Sequence, residues 1–206
     1  MSARAVLSSH LLSCMAVAIW LAATGVGMHV LASHAGTPGT PATPPATWPA
    51  GSRLGRESGR PTLVLVAHPR CPCTRASLWE LARLMPRLAG RVAVRVLFVR
   101  PAGVESAWEE TDLWSSAVDI LGVQVLRDDA GMEARRFGAF TSGQVLLYGA
   151  DGALVFSGGL TPSRGHMGDS AGRWAILTLV TGGAPAPSTA VFGCALFDPT
   201  VGGPAA

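Results

Sequence analysis

Hydrophobic and polar positions divide the chain into stretches of different texture. Residues 11–31 are apolar with no Asp, Glu, Lys or Arg, and roughly 20 such residues span a bilayer as a helix. Residues 35–60 are mostly Gly, Thr, Pro and Ala, with no large apolar side chain before Trp48. That composition predicts an extended tether, because too little surface is available for burial and the prolines hold the chain open. From Pro61 the pattern is that of a packed domain. Residues 62–67 form a continuous apolar run, as expected of a strand covered on both faces. Leu78, Leu81, Leu84 and Leu88 then recur at helical spacing between mostly charged positions, with Pro86 expected to kink or shorten that helix. Residues 91–99 are rich in β-branched side chains and read as a central strand.

The second half continues the alternation. Pro101 and Gly103 turn the chain into a helix predicted over 105–121, with Trp108, Leu113, Trp114, Val118 and Leu121 on its core face. A short strand over 123–126 and a short helix over 129–137, ended by Gly138, come next. The apolar runs 144–148 and 153–156 flank Asp151-Gly152, a hairpin signal. A last helix is predicted over 170–180, capped by Asp169 or Ser170 and stopped by Gly182-Gly183. This divides the chain into an anchor or signal segment (1–34), a linker (35–60), a domain (61–183) and a tail (184–206) that carries Cys194.

Charge orients the first segment. Arg4 precedes the apolar run and the next Arg is Arg53, so the positive-inside rule places the amino terminus in the cytoplasm and the domain outside. Residues 11–31 would then cross the bacterial cytoplasmic membrane once, with the domain facing the periplasm or exterior. Val30-Leu31-Ala32 also permits a cleaved signal peptide, against which the length of the run argues. Either way the domain is exported. With 206 residues and a formal net charge of +3, the chain is long enough for one real core and too weakly basic for nucleic acid to be its partner. Every basic residue other than histidine is Arg, which excludes Schiff-base lysine chemistry and a lysine-dependent phosphate loop.

Candidate chemistry centres on His68-Pro69-Arg70-Cys71-Pro72-Cys73-Thr74, between the first strand and the helix after it. A helix amino terminus offers free N–H groups and the positive end of the peptide dipole, both of which favour thiolate over thiol. Pro72 suits the first helical position, where its missing N–H costs nothing. That makes Cys71 the N-cap, with a depressed pKa to which neighbouring Arg70 would add. The bland reading is a structural cysteine pair in a tight turn. Residues two apart on a helix point to nearly opposite sides, so a Cys71–Cys73 disulfide requires Cys71 to lie before the helix and would be strained and easily reduced. Cys194 is the alternative partner, and of three exported cysteines one must stay unpaired. Cys14 lies within the apolar span as a small packing residue.

The order strand, helix, strand, helix, then hairpin and last helix resembles the thioredoxin fold, an α/β architecture with a central mixed sheet flanked by helices. Cys71-Pro72-Cys73-Thr74-Arg75 follows the first strand where that family keeps its active cysteines, and residues 134–148 with Asp151-Gly152 resemble its later signature. More narrowly, residues 60–200 are similar to small membrane-anchored thioredoxin-like proteins called RedB. The resemblance implies a thiol–disulfide oxidoreductase acting on protein thiols and disulfides, without a cofactor. Cys71 would attack, Cys73 resolve and Cys194 serve as a relay, with Arg70, Pro72, Thr74 and Gly143 framing the site. The chain departs from the pattern at several places. Thr141-Ser142-Gly143 stands where the family has a cis-proline, Leu65 where it has a buried acid, Arg70 where it has tryptophan, and Thr74 where its second cysteine would fall.

Two other functions fit the same residues. Cys71, Cys73 and His166, with Cys194 as a further option, form a candidate soft-ligand set for copper or zinc, although copper chaperones of this fold use a different cysteine spacing. His166 reads equally as a loop histidine facing solvent. A thioredoxin-like domain whose chemistry has lapsed and which binds a partner is the third reading.

Overall fold

The computed structural model describes the backbone of residues 3–184 and 187–197, and side chains from His10 onward. Pro185 and residues 198–206 of the expected tail lie outside the described residues. The chain forms two compact units, residues 1–36 and 37–206. The first is one helix, α1 (Ala3–Gly36), whose portion His10–Gly36 is long and apolar enough to cross a membrane, with a mean hydropathy of 1.9. Its Leu11, Ile19, Trp20, Val26 and Leu31 all stand exposed, the surface of a helix that suits lipid rather than water.

The second unit has the thioredoxin-like fold. Its elements are β1 (Thr62–Ala67), α2 (Pro72–Leu88), β2 (Ala93–Arg100), α3 (Asp112–Val118), β3 (Val123–Asp129), α4 (Met132–Arg136), β4 (Gln144–Tyr148), β5 (Leu154–Gly158) and α5 (Ala171–Val180). The strands form one sheet in the order β3-β2-β1-β4-β5. β1, β2 and β3 run parallel, while β4 is antiparallel to β1 and to β5. β1 is central and all six of its residues are buried, which accounts for its lack of alternation. Its odd-numbered side chains, Leu63, Leu65 and Ala67, join Leu78, Leu81, Leu84 and Leu88 of α2 and Ile176 of α5 in one core. Val64 and Val66 point the other way, into a second core with Phe137, Leu146 and Tyr148.

Among the described residues, short α4 is the one regular helix over that second face, and here the structure corrects the tether expected over 35–60. From Thr37 onward the Pro-rich stretch lies along the domain. Trp48 packs edge-on against Phe137 and Tyr148, with ring centroids 5.0 and 5.3 Å away, and Leu54 is buried. Backbone hydrogen bonds run from Gly39 N–H to Val191 O, Thr43 N–H to Gly138 O and Trp48 N–H to Gly152 O, and the Tyr148 hydroxyl donates to Pro45 O. Prolines that hold a chain extended reduce the entropy lost when it docks, so two apolar anchors suffice. Residues 187–197 of the tail pack against the domain as well. Val191 and Leu196 are buried, and Thr189 N–H bonds Ser157 O while Leu196 N–H bonds Phe140 O.

Helix α3 is shorter than predicted. Residues 101–111 form turns, with Gly103 and Ala107 in the left-handed region, and the helix begins only where the Thr111 side chain caps it by accepting from Leu113 N–H. Val118 and Leu121 are therefore exposed rather than in the core. Helix α2 runs two residues past Pro86 before it ends.

Candidate functional site

Cys71 is the N-cap of α2, with extended backbone angles (φ −112°, ψ 126°), and Pro72 opens the helix. The turn before it is pinned on several sides. Cys71 N–H bonds His68 O, and the Thr111 hydroxyl donates to Pro69 O at 2.8 Å. Thr74 and Ser142 form a closed ring of hydrogen bonds with the His68 backbone. His68 N–H donates to Ser142 Oγ (2.9 Å), the Ser142 and Thr74 hydroxyls share a 2.8 Å bond, and Thr74 Oγ1 donates to His68 O (2.8 Å). Among the described residues no peptide is cis. Gly143 follows in the left-handed region (φ +90°), where its N–H reaches Val66 O.

The tail brings in the third thiol. Ser142 N–H donates to Cys194 O at 2.8 Å, and Thr141 pairs with Ala195 as a β-bridge. The sulfurs of Cys71, Cys73 and Cys194 all lie within 4.8 Å of one another, and all are free thiols. Cys71 and Cys73 are buried, 1% and 4% exposed, whereas Cys194 is partly open to solvent. The approach depends on two residues that the sequence reading did not single out. Gly193 lies so close to Ser142 that a Cβ there would fall inside the radius of the Ser142 carbonyl oxygen. Arg164 bridges the segments through Nε to Thr37 O (3.0 Å) and a guanidinium bond to Gly193 O. The Phe192-Gly193-Cys194 spacing was the available signal for the first; nothing local marks the second.

Hydrogen bonds among the three thiols spread their pKa values apart. A hydrogen bond from the Cys73 thiol, against the opposing cost of burial, brings the Cys71 pKa down to about 4, helped by the Cys194 thiol and the backbone N–H groups of Cys194 and Cys73. Cys73 is pushed strongly up, first because it donates to Cys71 and then by burial, while Gly165 N–H acts in the opposite sense. Burial, followed by the bond to Cys71, pushes Cys194 up to about 11, with Arg164 pulling it back. Arg70 does not supply the expected help to Cys71. Its guanidinium lies 4.5 Å from the centre of the Trp108 ring and reaches Trp108 O. The same Trp108 meets His68 edge-on at 5.7 Å. Burial lowers the His68 pKa, with the Cys71 charge opposing it.

His166 is corrected as a ligand partner of the cysteines. It is exposed, its Nδ1 lies 2.7 Å from Arg164 O, and the cluster of ligand atoms contains Cys194 in its place. Leu65 is fully buried in the sheet. The Ser170 hydroxyl caps α5 by accepting from Arg173 N–H.

No family model matches the chain, and no curated protein matches it. Among solved structures, an uncharacterized conserved protein from Geobacillus kaustophilus is similar at a TM-score of 0.56 and 19% identity, over 80% of this chain and 94% of that one. A hypothetical protein from Sinorhizobium meliloti 1021 is similar at a TM-score of 0.55 and 23% identity, over 78% and 93%. These two likenesses concern the fold alone. A secreted Mycobacterium tuberculosis disulfide oxidoreductase homologous to E. coli DsbE also matches, at a TM-score of 0.42 and 15% identity, over 60% and 82%.

Proposed function

We propose that this chain is a membrane-tethered thiol–disulfide oxidoreductase acting outside the cytoplasmic membrane, with Cys71 and Cys194 as its exchanging pair. The observation that carries this is the meeting of three free sulfurs at the mouth of α2, of which Cys194 alone is partly open to solvent. Cys73 is fixed in the first helical turn and donates its S–H to Cys71. Cys194 sits in irregular chain that can shift without unwinding a helix, so Cys194 rather than Cys73 pairs with Cys71, meeting the substrate while Cys71 resolves the mixed disulfide.

In the oxidising direction, a substrate thiolate attacks Sγ of Cys194 in the Cys71–Cys194 disulfide. The sulfur–sulfur bond breaks and its electron pair goes to Cys71, whose stabilised thiolate is a good leaving group. A second substrate thiolate then attacks the mixed disulfide, releasing Cys194 and leaving the substrate with a disulfide. The protein disulfide has gained two electrons and the substrate dithiol has lost them; its two protons pass to Cys194 and to solvent. The reverse sequence starts with Cys194 attacking the substrate disulfide, after which Cys71 attacks Sγ of Cys194 in the mixed disulfide and releases the second substrate thiolate. A reduced form stabilised in this way favours the oxidising direction. The apolar helix His10–Gly36 supports the tether.

The test uses the full chain in detergent with chelator present, glutathione disulfide to form and renew the Cys71–Cys194 disulfide, and a dithiol peptide as substrate, with the uncatalysed rate subtracted. Wild type oxidises the peptide, Cys71→Ser and Cys194→Ser do not, and Cys73→Ser retains turnover at a reduced rate. Equal rates in wild type and Cys71→Ser would end the proposal.

A further inference from the structure

We propose that the three thiols also form a binding site for a soft monovalent metal ion, Cu(I), held by Cys71, Cys73 and Cys194. A trigonal site with metal–sulfur bonds of about 2.3 Å needs sulfurs about 4 Å apart. The three here already lie within 4.8 Å of one another, drawn from two segments more than a hundred residues apart in sequence. Adjustments of well under about 1 Å per side chain would close the set, which is within ordinary rotamer freedom.

The surroundings are those of a thiolate site. Backbone N–H groups of Cys73 and Cys194 point at the Cys71 sulfur, Gly165 N–H points at the Cys73 sulfur, and Arg164 stands beside Cys194. Hydrogen bonds of this kind orient ligating sulfurs and offset their charge. The ligand count selects the ion. Among the described residues no fourth His, Asp, Glu or Cys atom joins the cluster. His166 is turned onto Arg164 O, and His68 Nδ1 accepts from Arg70 N–H at 3.2 Å. Structural zinc takes four protein ligands in a tetrahedron, whereas thiolates alone suit Cu(I). Burial of two of the three sulfurs also keeps water and oxidant from the ion.

This site does not depend on the exchange reaction, which is assayed in chelator. Failure of one leaves the other standing. The experiment uses the reduced, metal-stripped full chain in detergent under anaerobic conditions. Cu(I) is titrated against a chromophoric chelator, and the bound form is examined by X-ray absorption. The expected result is one Cu(I) per chain with three sulfur neighbours. Cys194→Ser should lower the affinity at least tenfold, Cys14→Ser should leave it unchanged, and excess Zn(II) should not displace the ion. Two sulfur neighbours in the wild-type spectrum, an unchanged affinity in Cys194→Ser, or displacement by Zn(II) would each overturn the assignment. The spectrum is read on wild type, so the test holds even where a variant misfolds.

Discussion

Gly193→Ala tests how Cys194 is delivered. The Cβ would fall within the Ser142 carbonyl oxygen, with Ser142 C at 2.9 Å and Thr141 Cγ2 at 3.2 Å. The obstruction is backbone, so a rotamer change cannot relieve it and the tail must lift. Lifting it weakens Ser142 N–H to Cys194 O, Leu196 N–H to Phe140 O and the Arg164 bond to Gly193 O. Each neutral bond contributes about 1 kcal/mol net and the charged one somewhat more. Partial exposure of Arg164 argues for the lower end, and a total of about 2–3 kcal/mol follows. At about 1.4 kcal/mol per tenfold, the effective concentration of Cys194 at Cys71 should fall about 30- to 150-fold. The assay equilibrates the full chain with glutathione redox buffers, traps free thiols and counts the Cys71–Cys194 crosslink by mass spectrometry. The core around α2 and β1 touches none of these atoms, so its thermal unfolding should change little. An unchanged effective concentration would refute the claim that this glycine admits the tail.

The other predictions concern the thiolate, the hydrogen-bond ring and the docked amino-terminal stretch. With its pKa at about 4, Cys71 in the chelated, reduced protein should be alkylated by iodoacetamide at a rate nearly flat from pH 8 to 5, falling only as the pH drops through about 4. The denatured chain should instead lose about tenfold per pH unit below the ordinary cysteine value of about 8.5; parallel profiles would contradict the depressed value. Ser142→Ala opens the ring with Thr74 and leaves His68 N–H without its acceptor, at a cost of about 1–3 kcal/mol in urea unfolding; a change under about 0.5 kcal/mol would show that the ring is not structural. Trp48→Ala removes the ring wedged between Phe137 and Tyr148. Because Trp48 is half-buried, about 2–3 kcal/mol is expected rather than the full cost of a core tryptophan, with faster proteolysis within residues 37–60 as the readout; unchanged cleavage would contradict docking.

The elements that were legible are those whose local pattern agrees with their place in the sheet. The run from Thr62 to Ala67 reads as a doubly covered strand because it is one, and the leucines of α2 face the core they predict. Asp151-Gly152 marks the hairpin because Gly152 takes a positive φ of 87°. The predicted helix over 105–121 failed for an equally local reason. Ala107 adopts a left-handed conformation that no sequence rule assigns to alanine, and the helix starts only at the Thr111 cap, inside the stretch of apolar spacing. The docking of residues 37–60 was illegible because composition counts hydrophobic side chains and not the grooves waiting for them. Trp48 and Leu54 find such a groove on the second face of the sheet, which no long helix covers.

At the site, the departures from the family pattern become intelligible as one set. Thr74 cannot resolve a disulfide, but with Ser142 it ties the strand-to-helix turn to the loop that receives the tail. That loop needs Ser142's own N–H free to hold Cys194 O, and Gly193 lets the two backbones meet. The third sulfur is thus brought to the strand-to-helix turn from more than a hundred residues away. The apolar Leu65 fits the same account. A buried acid is useful where exchange must store a proton inside the protein, yet here the Cys73 and Cys194 thiols, both pushed up in pKa, stand beside Cys71, which is pushed down. Cys194, partly open to solvent, can pass its proton outward when it reacts. A carboxylate at Leu65 would add a charge to a fully buried strand without a task to perform, so Leu65→Asp should destabilise the fold by several kcal/mol without raising the exchange rate. A faster exchange in that variant, measured with the dithiol peptide, would mean that proton storage and not thiol geometry limits the reaction.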